Sequence, residues 1–122
     1  MLLNEYPNAH FNLGNAFLAI GRHADAVKSY ETVISLEPDA LEAHNNLGIA
    51  LHKLGQLDSA VLLYQKALKL NSNYALAHNN LGNVYKDLGN FEESVKCYEA
   101  AISIKPDYKD AQNNLKNMKT LK

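Results

Sequence analysis

The sequence predicts an all-α solenoid of stacked helical hairpins, and three observations predict it. A block of residues recurs at a constant step of 34, so that Phe11-Asn12-Leu13-Gly14-Asn15 aligns with Asn45-Asn46-Leu47-Gly48-Ile49 and with Asn79-Asn80-Leu81-Gly82-Asn83. A fixed period in that range marks stacked supersecondary units. Within each unit apolar residues return at three- and four-residue steps on both sides of a glycine, as in Leu47, Ala50, Leu51 and Leu54 before Gly55 and Leu57, Ala60, Val61, Tyr64, Ala67 and Leu68 after it, which is the spacing of helix faces. Finally, Gly21, Gly55 and Gly89 stand where a first helix needs a left-handed residue to stop.

Three units follow, 7–40, 41–74 and 75–108. Pro38 and Pro106 close their second helices; unit two has Ser72 there, so its second helix is expected to run on slightly or to end by capping from Ser72 or Asn73. Asp39 and Glu42 have the spacing of an acidic capping box for the helix that opens unit two. Residues 109–122 carry the opening of a fourth unit, Ala111-Gln112-Asn113-Asn114-Leu115, but have Lys116 in place of the glycine, and so predict a capping helix with a polar outer face. Residues 1–6 read as the remnant of a preceding repeat, with Leu2 and Tyr6 in register with Leu36 and Ala40.

The 122 residues, 47% of them apolar, suffice for one continuous core. Lys and Arg number 12 against 13 Asp and Glu, a net charge of −1, so the long-range field that draws proteins onto nucleic acid or acidic lipid is missing. No basic stretch precedes an apolar one at the start, and no apolar run reaches the roughly 20 residues that span a bilayer. Neither a nucleic acid nor a membrane is expected as partner. Cys97 is the only cysteine, which excludes an internal disulfide. A cytoplasmic or nuclear setting is the expectation.

Both the period and its signature residues resemble the tetratricopeptide repeat family. Unit one carries His10, Leu13, Gly14, Phe17, Ala26, Tyr30, Val33 and Pro38; unit two His44, Leu47, Gly48, Leu51, Ala60, Tyr64, Ala67 and Ser72; unit three His78, Leu81, Gly82, Tyr85, Ser94, Tyr98, Ala101 and Pro106. Histidine replaces the family's usual tryptophan throughout, Ser94 an alanine and Ser72 a proline. Gly14, Gly48 and Gly82, set opposite Ala26, Ala60 and Ser94, are expected to let the helices of a unit approach closely, with Tyr30, Tyr64 and Tyr98 filling the space between units. The resemblance implies a right-handed superhelix whose first helices line a concave groove.

Asparagines repeat without a packing reason beside the core leucines: Asn12, Asn46, Asn80 and Asn114, with Asn45, Asn79 and Asn113 one residue before and Asn15, Asn83 and Asn117 three after. Asparagine is a mediocre helix residue, so a stripe of it on one face needs another reason. An amide matches the donor and acceptor of a peptide backbone, and a ladder of them would grip an extended chain, which resembles the asparagine ladders of O-GlcNAc transferase arrays and importin-like solenoids. Replacing Asn46 and Asn80 together by alanine is then expected to weaken binding and leave stability nearly unchanged or slightly higher. Specificity would come from the groove positions that vary: Phe11, Leu18, Glu42, Ile49, His52, Lys53, Leu76, Lys86 and Asp87. A subgroup of the family clamps the terminal carboxylate of heat-shock chaperones; Asn15 and Asn46 fit that clamp, but Phe11, Leu76 and Asn80 stand where its basic residues belong, which disfavours the role.

His10, His44 and His78 recur with the repeat, yet zinc needs nitrogens at about 2 Å and stacked helices lie roughly 8–10 Å apart, so no shared metal is expected. No P-loop, G-x-S-x-G elbow or H-E-x-x-H occurs, and neither catalysis nor a cofactor is expected. The function predicted is a protein or peptide scaffold. Two alternatives stay open, a substrate-recognition array excised from a larger enzyme such as a glycosyltransferase, and self-association through an apolar first face around Phe11, Leu13 and Phe17.

Overall fold

A computed structural model describes residues 6–120. Seven helices account for nearly all of them: α1 (Pro7–Ala19), α2 (His23–Leu36), α3 (Leu41–Lys53), α4 (Leu57–Leu70), α5 (Ala75–Asp87), α6 (Phe91–Ile104) and α7 (Lys109–Thr120). No strand occurs among the described residues. The hairpins α1/α2, α3/α4 and α5/α6 stack in chain order, each first helix packing on the second helix before it, and α7 closes the array against α6. The remnant expected at residues 1–6 lies outside the described residues apart from Tyr6, which caps α1 ahead of a proline at the first helical turn.

Each turn inside a hairpin is made by a glycine at positive φ. At Gly55 φ is 79°, its N–H donates to the His52 carbonyl at 2.9 Å and the Gln56 N–H to the Leu51 carbonyl at 2.9 Å, the paired bonds of a Schellman ending. Gly21 and Gly89 repeat the pattern. Between units two expectations fail. The capping box does not form: α3 starts at Leu41, so its N-cap is Ala40, and Asp39 lies one residue too early for its side chain to reach the opening N–H groups. Nor does Ser72 lengthen or cap α4, which at 14 residues matches α2 and α6. Asn71 turns the chain instead, its Oδ1 accepting from the Asn73 N–H at 3.0 Å.

Tyr30, Tyr64 and Tyr98 are the largest side chains buried almost completely, and each lies over the glycine of its own hairpin. A Cβ built on Gly48 would come within 2.7 Å of Tyr64 Cε1, and one on Gly82 within 2.6 Å of Tyr98 Cε1. The glycines therefore make room for a ring within the unit, and the tyrosines do not simply fill space between units. At the alanine position Ser94 donates its hydroxyl to the Gly82 carbonyl at 2.7 Å, which satisfies the one polar atom placed there. Leu47, Leu51, Leu81 and Val84 complete the core between hairpins.

Two of the recurring histidines tie a first helix to the linker before it. His44 Nε2 lies 2.8 Å from the Pro38 carbonyl and His78 Nε2 3.0 Å from the Ser72 carbonyl. Gln112 at the corresponding position of α7 donates to the Pro106 carbonyl at 2.5 Å. A carbonyl only accepts, so the histidine nitrogen must carry the proton. In α3, α5 and α7 this place of the repeat is thus occupied by side chains that satisfy a linker carbonyl.

Replacing Gly48 by alanine is expected to destabilise the chain by roughly 1–3 kcal/mol, because the rigid Tyr64 ring must shift. Thermal or urea denaturation measures this. An unchanged midpoint would overturn the packing account.

Candidate functional site

Successive first helices touch one another, α1 with α3, α3 with α5 and α5 with α7, and no second helix approaches the next as closely. The first helices consequently line the inner side of the array. On α3 the residues Glu42, Asn46, Ile49 and Lys53 fall at steps of four, three and four and share this face.

The amides there are bonded from repeat to repeat. Asn46 Nδ2 donates to Asn15 Oδ1 at 3.0 Å, and the same oxygen accepts the Tyr30 hydroxyl at 2.5 Å. Asn45 Nδ2 donates to Asn46 Oδ1 at 3.3 Å, and Asn80 Nδ2 to Asn45 Oδ1 at 3.2 Å. Farther along, Asn114 Nδ2 serves both Asn79 Oδ1 at 3.0 Å and Asn83 Oδ1 at 3.3 Å, and Asn83 Oδ1 also accepts the Tyr98 hydroxyl at 2.6 Å.

This network corrects the reading of Asn45 and Asn79 as groove residues. They are 0% and 5% exposed, because the first helix of the following unit covers them. Asn113, at the same register with no following unit among the described residues, is exposed. The expectation that Asn46 and Asn80 are free of structural work is also revised, since removing Asn80 would strip the sealed Asn45 oxygen of its donor, a loss of roughly 1–3 kcal/mol.

Other predicted residues remain accessible. Asn12, Asn113, Asn117 and Lys53 are exposed, and Ile49, Lys86, Asn15, Asn46, Asn80, Asn83 and Asn114 are half-buried. The bonds to Asn15 and Asn83 fix their oxygens inward, and neither Nδ2 group donates to another described residue or is sealed from solvent. These two amide donors are thereby left over with their orientation fixed. Near the C-terminal ends of the same helices His52 Nε2 meets Asp87 Oδ2 at 2.6 Å, a bridge from α3 to α5 that sequence spacing alone did not reveal.

Among the described residues no group of three or more His, Cys, Asp or Glu side chains is arranged to hold a metal, and no described helix is long and apolar enough to cross a membrane. Cys97 is buried on α6, and desolvation, with Glu93 nearby, pushes its thiol up to about 11 from an ordinary 9. Burial likewise raises the hydroxyls of Tyr30, Tyr64 and Tyr98.

Two outcomes follow. Tyr98→Phe is expected to cost about 1 kcal/mol through the lost bond to Asn83, whereas Tyr64→Phe costs close to nothing, because Ile49 occupies the place of Asn15 and Asn83 and offers no acceptor; paired denaturation curves compare them. For Cys97 the unfolded chain gives up its proton near pH 9 while the folded chain keeps it to about 11. The folded state binds more protons in that window, so the thiol's contribution to stability is intact below pH 9 and is lost as pH rises toward 11. Cys97→Ala should flatten that part of the stability profile.

Tetratricopeptide repeat family models match residues 7–75 and 75–108. No curated protein sequence matches the chain significantly. Among solved structures, MamA is 30% identical with a TM-score of 0.88 over 93% of this chain and 67% of its own. The Arabidopsis OM64 TPR domain is 20% identical with a TM-score of 0.93, covering 98% of both chains. The first TPR of Spaghetti (RPAP3), solved with the HSP90 peptide SRMEEVD, is 23% identical with a TM-score of 0.90, covering 94% of this chain and 91% of its own. With family models spanning residues 7 to 108 and the glycine, alanine and tyrosine positions packed as described, this chain belongs to the tetratricopeptide repeat family.

Proposed function

We propose that the chain is a protein-interaction scaffold whose inner face holds an extended peptide segment by its backbone. The observation that carries this reading is the pair of amide donors left unspent at Asn15 and Asn83. Their oxygens are held by Tyr30 and Tyr98, so the Nδ2 groups are pre-oriented and lose little freedom on binding. A backbone carbonyl is the acceptor every peptide offers, whatever its side chains. The Spaghetti domain, similar in fold, was solved with a peptide bound, which is consistent with a peptide ligand here. Here, though, Phe11, Leu76 and Asn80 occupy the places of the basic clamp, so a peptide ending in MEEVD is expected to bind no better than a scrambled one in fluorescence anisotropy.

Aspartate at positions 15 and 83 keeps an acceptor for each tyrosine and removes the free donor. A photo-crosslinking side chain at exposed Lys53, on the inner face, should capture a peptide partner in the wild type and lose it in the N15D/N83D chain, with the melting temperature retained. Equal capture from Leu62 on the outer α4 would overturn the assignment to the groove.

One observation favours a second reading, self-association through α1. Leu13 is 42% exposed although its equivalents Leu47 and Leu81 are 4% and 6% exposed. Of the other residues on that face, Phe11 packs against Tyr30 at 6.0 Å between ring centroids and Phe17 lies under Arg22 at 4.9 Å. Concentration-dependent light scattering that Leu13→Glu abolishes would support it, and a monomer at every concentration would remove it.

A further inference from the structure

The amide network is interrupted at one place. Position 15 of unit one and position 83 of unit three are asparagines that accept the tyrosine hydroxyl of their own hairpin. The matching residue of unit two is Ile49, which has no acceptor. Yet the Tyr64 ring is seated over Gly48 much as its counterparts are over Gly14 and Gly82, with Cε1 at 2.7 Å against 2.7 Å and 2.6 Å from the glycine's Cβ position. Its hydroxyl therefore reaches the same register as the other two and arrives beside an aliphatic side chain. Among the described residues it finds no hydrogen-bond partner, and it is not among the polar atoms sealed from solvent. Tyr64 itself is 1% exposed, and its hydroxyl keeps a donor free at that small opening.

The surroundings of the gap are chemically consistent. Ile49 is half-buried against the core and presents its remaining surface on the inner face. One turn toward the C-terminal end of the helix lies Lys53, with Lys86 at the corresponding end of α5. Neither ammonium has a carboxylate within ion-pair distance among the described residues, and Asp87 at the same end of α5 is engaged by His52. Lysine at a helix C-terminus is favourable in its own right, but that leaves the charge free to meet a ligand.

Resting on the peptide reading above, we infer that the Ile49 gap is the specificity-determining seat of the groove: the Tyr64 hydroxyl donates to a backbone carbonyl of an extended peptide whose aliphatic side chain rests on Ile49 and whose neighbouring acidic side chain meets Lys53 and Lys86. The three repeats then each supply one outward donor at the same register, the Asn15 amide, the Tyr64 hydroxyl and the Asn83 amide. The middle donor differs in being flanked by an apolar surface, so it reads side-chain identity where the outer two read backbone alone.

The test is selection of a random peptide library against the full chain, followed by affinity measurement of one synthesised winner on Tyr64→Phe, Ile49→Asn and K53E/K86E chains. The expected winners pair an aliphatic with an adjacent acidic residue. Tyr64→Phe should weaken the winner about five- to tenfold at an unchanged melting temperature, Ile49→Asn should erase the aliphatic preference, and K53E/K86E should reverse the acidic one. Winners that bind wild type and Tyr64→Phe equally would overturn the seat and leave the groove standing. Absence of any enriched peptide would overturn both, as would concentration-dependent association abolished by Ile49→Asn, which would put a second copy of the chain on the seat.

Discussion

A tyrosine ring lying in the notch left by a glycine is the contact on which the rest of the array depends. It sets the distance between the helices of a hairpin, since nothing larger than hydrogen fits between Gly48 and Tyr64. It also carries a hydroxyl through the hairpin to the inner face, where Tyr30 and Tyr98 meet Asn15 and Asn83. The packing of the core and the layout of the groove are thus two ends of one side chain. A change in either helix spacing or ring tilt would move the polar atom by a comparable amount, which is why rigid aromatic residues suit this place better than flexible ones.

From that hydroxyl the structure propagates between repeats. Asn46 reaches back to Asn15, Asn80 to Asn45, and Asn114 to both Asn79 and Asn83. Each bond contributes only about 0.5–1.5 kcal/mol net, but each is also a nearest-neighbour coupling, and in a quasi-one-dimensional array such terms decide whether units unfold singly or together. The linker bonds of His44, His78 and Gln112 add a second set on the opposite side of the first helix. The helices α3, α5 and α7 are therefore held on both flanks by polar contacts that apolar burial alone would not orient.

Residues whose role is set within one hairpin were legible in the sequence. The period, the helix-stopping glycines and the alanine and tyrosine positions announce themselves because each is dictated by contacts a few residues or one hairpin away. Depth along a face was not legible. Asn45 and Asn113 share a register and differ in burial solely because α5 covers the first of them, and periodicity assigns a face without saying how far a neighbour's helix overlies it. The capping box failed by one residue, since the onset of α3 is set by the geometry of the linker and not by the Asp39 to Glu42 spacing. The histidine bonds were hidden for another reason: their acceptors are backbone carbonyls, which leave no mark in a sequence. The pairing of Asn15 with Tyr30 and Asn83 with Tyr98 was present as a constant interval of 15 residues, and its break at Ile49 and Tyr64 was open to the same inspection.

An amide is suited to this position because its two ends differ. The oxygen can be committed to the scaffold while the nitrogen, held in the same plane, is turned the other way; a hydroxyl donates and accepts through one rotatable oxygen, and a lysine or arginine would bring a charge that the neighbouring amides could not neutralise. Commitment of one end fixes the other, so a proposed ligand would meet donors whose orientation has already been settled by folding. Stability and the proposed recognition would then depend on the same atoms: weakening a bond to Asn15 or Asn83 would loosen the scaffold and release the outward donor from its set angle at once. At Ile49 the proposed seat would separate the two roles, with packing assigned to the isoleucine and the donor to the Tyr64 hydroxyl.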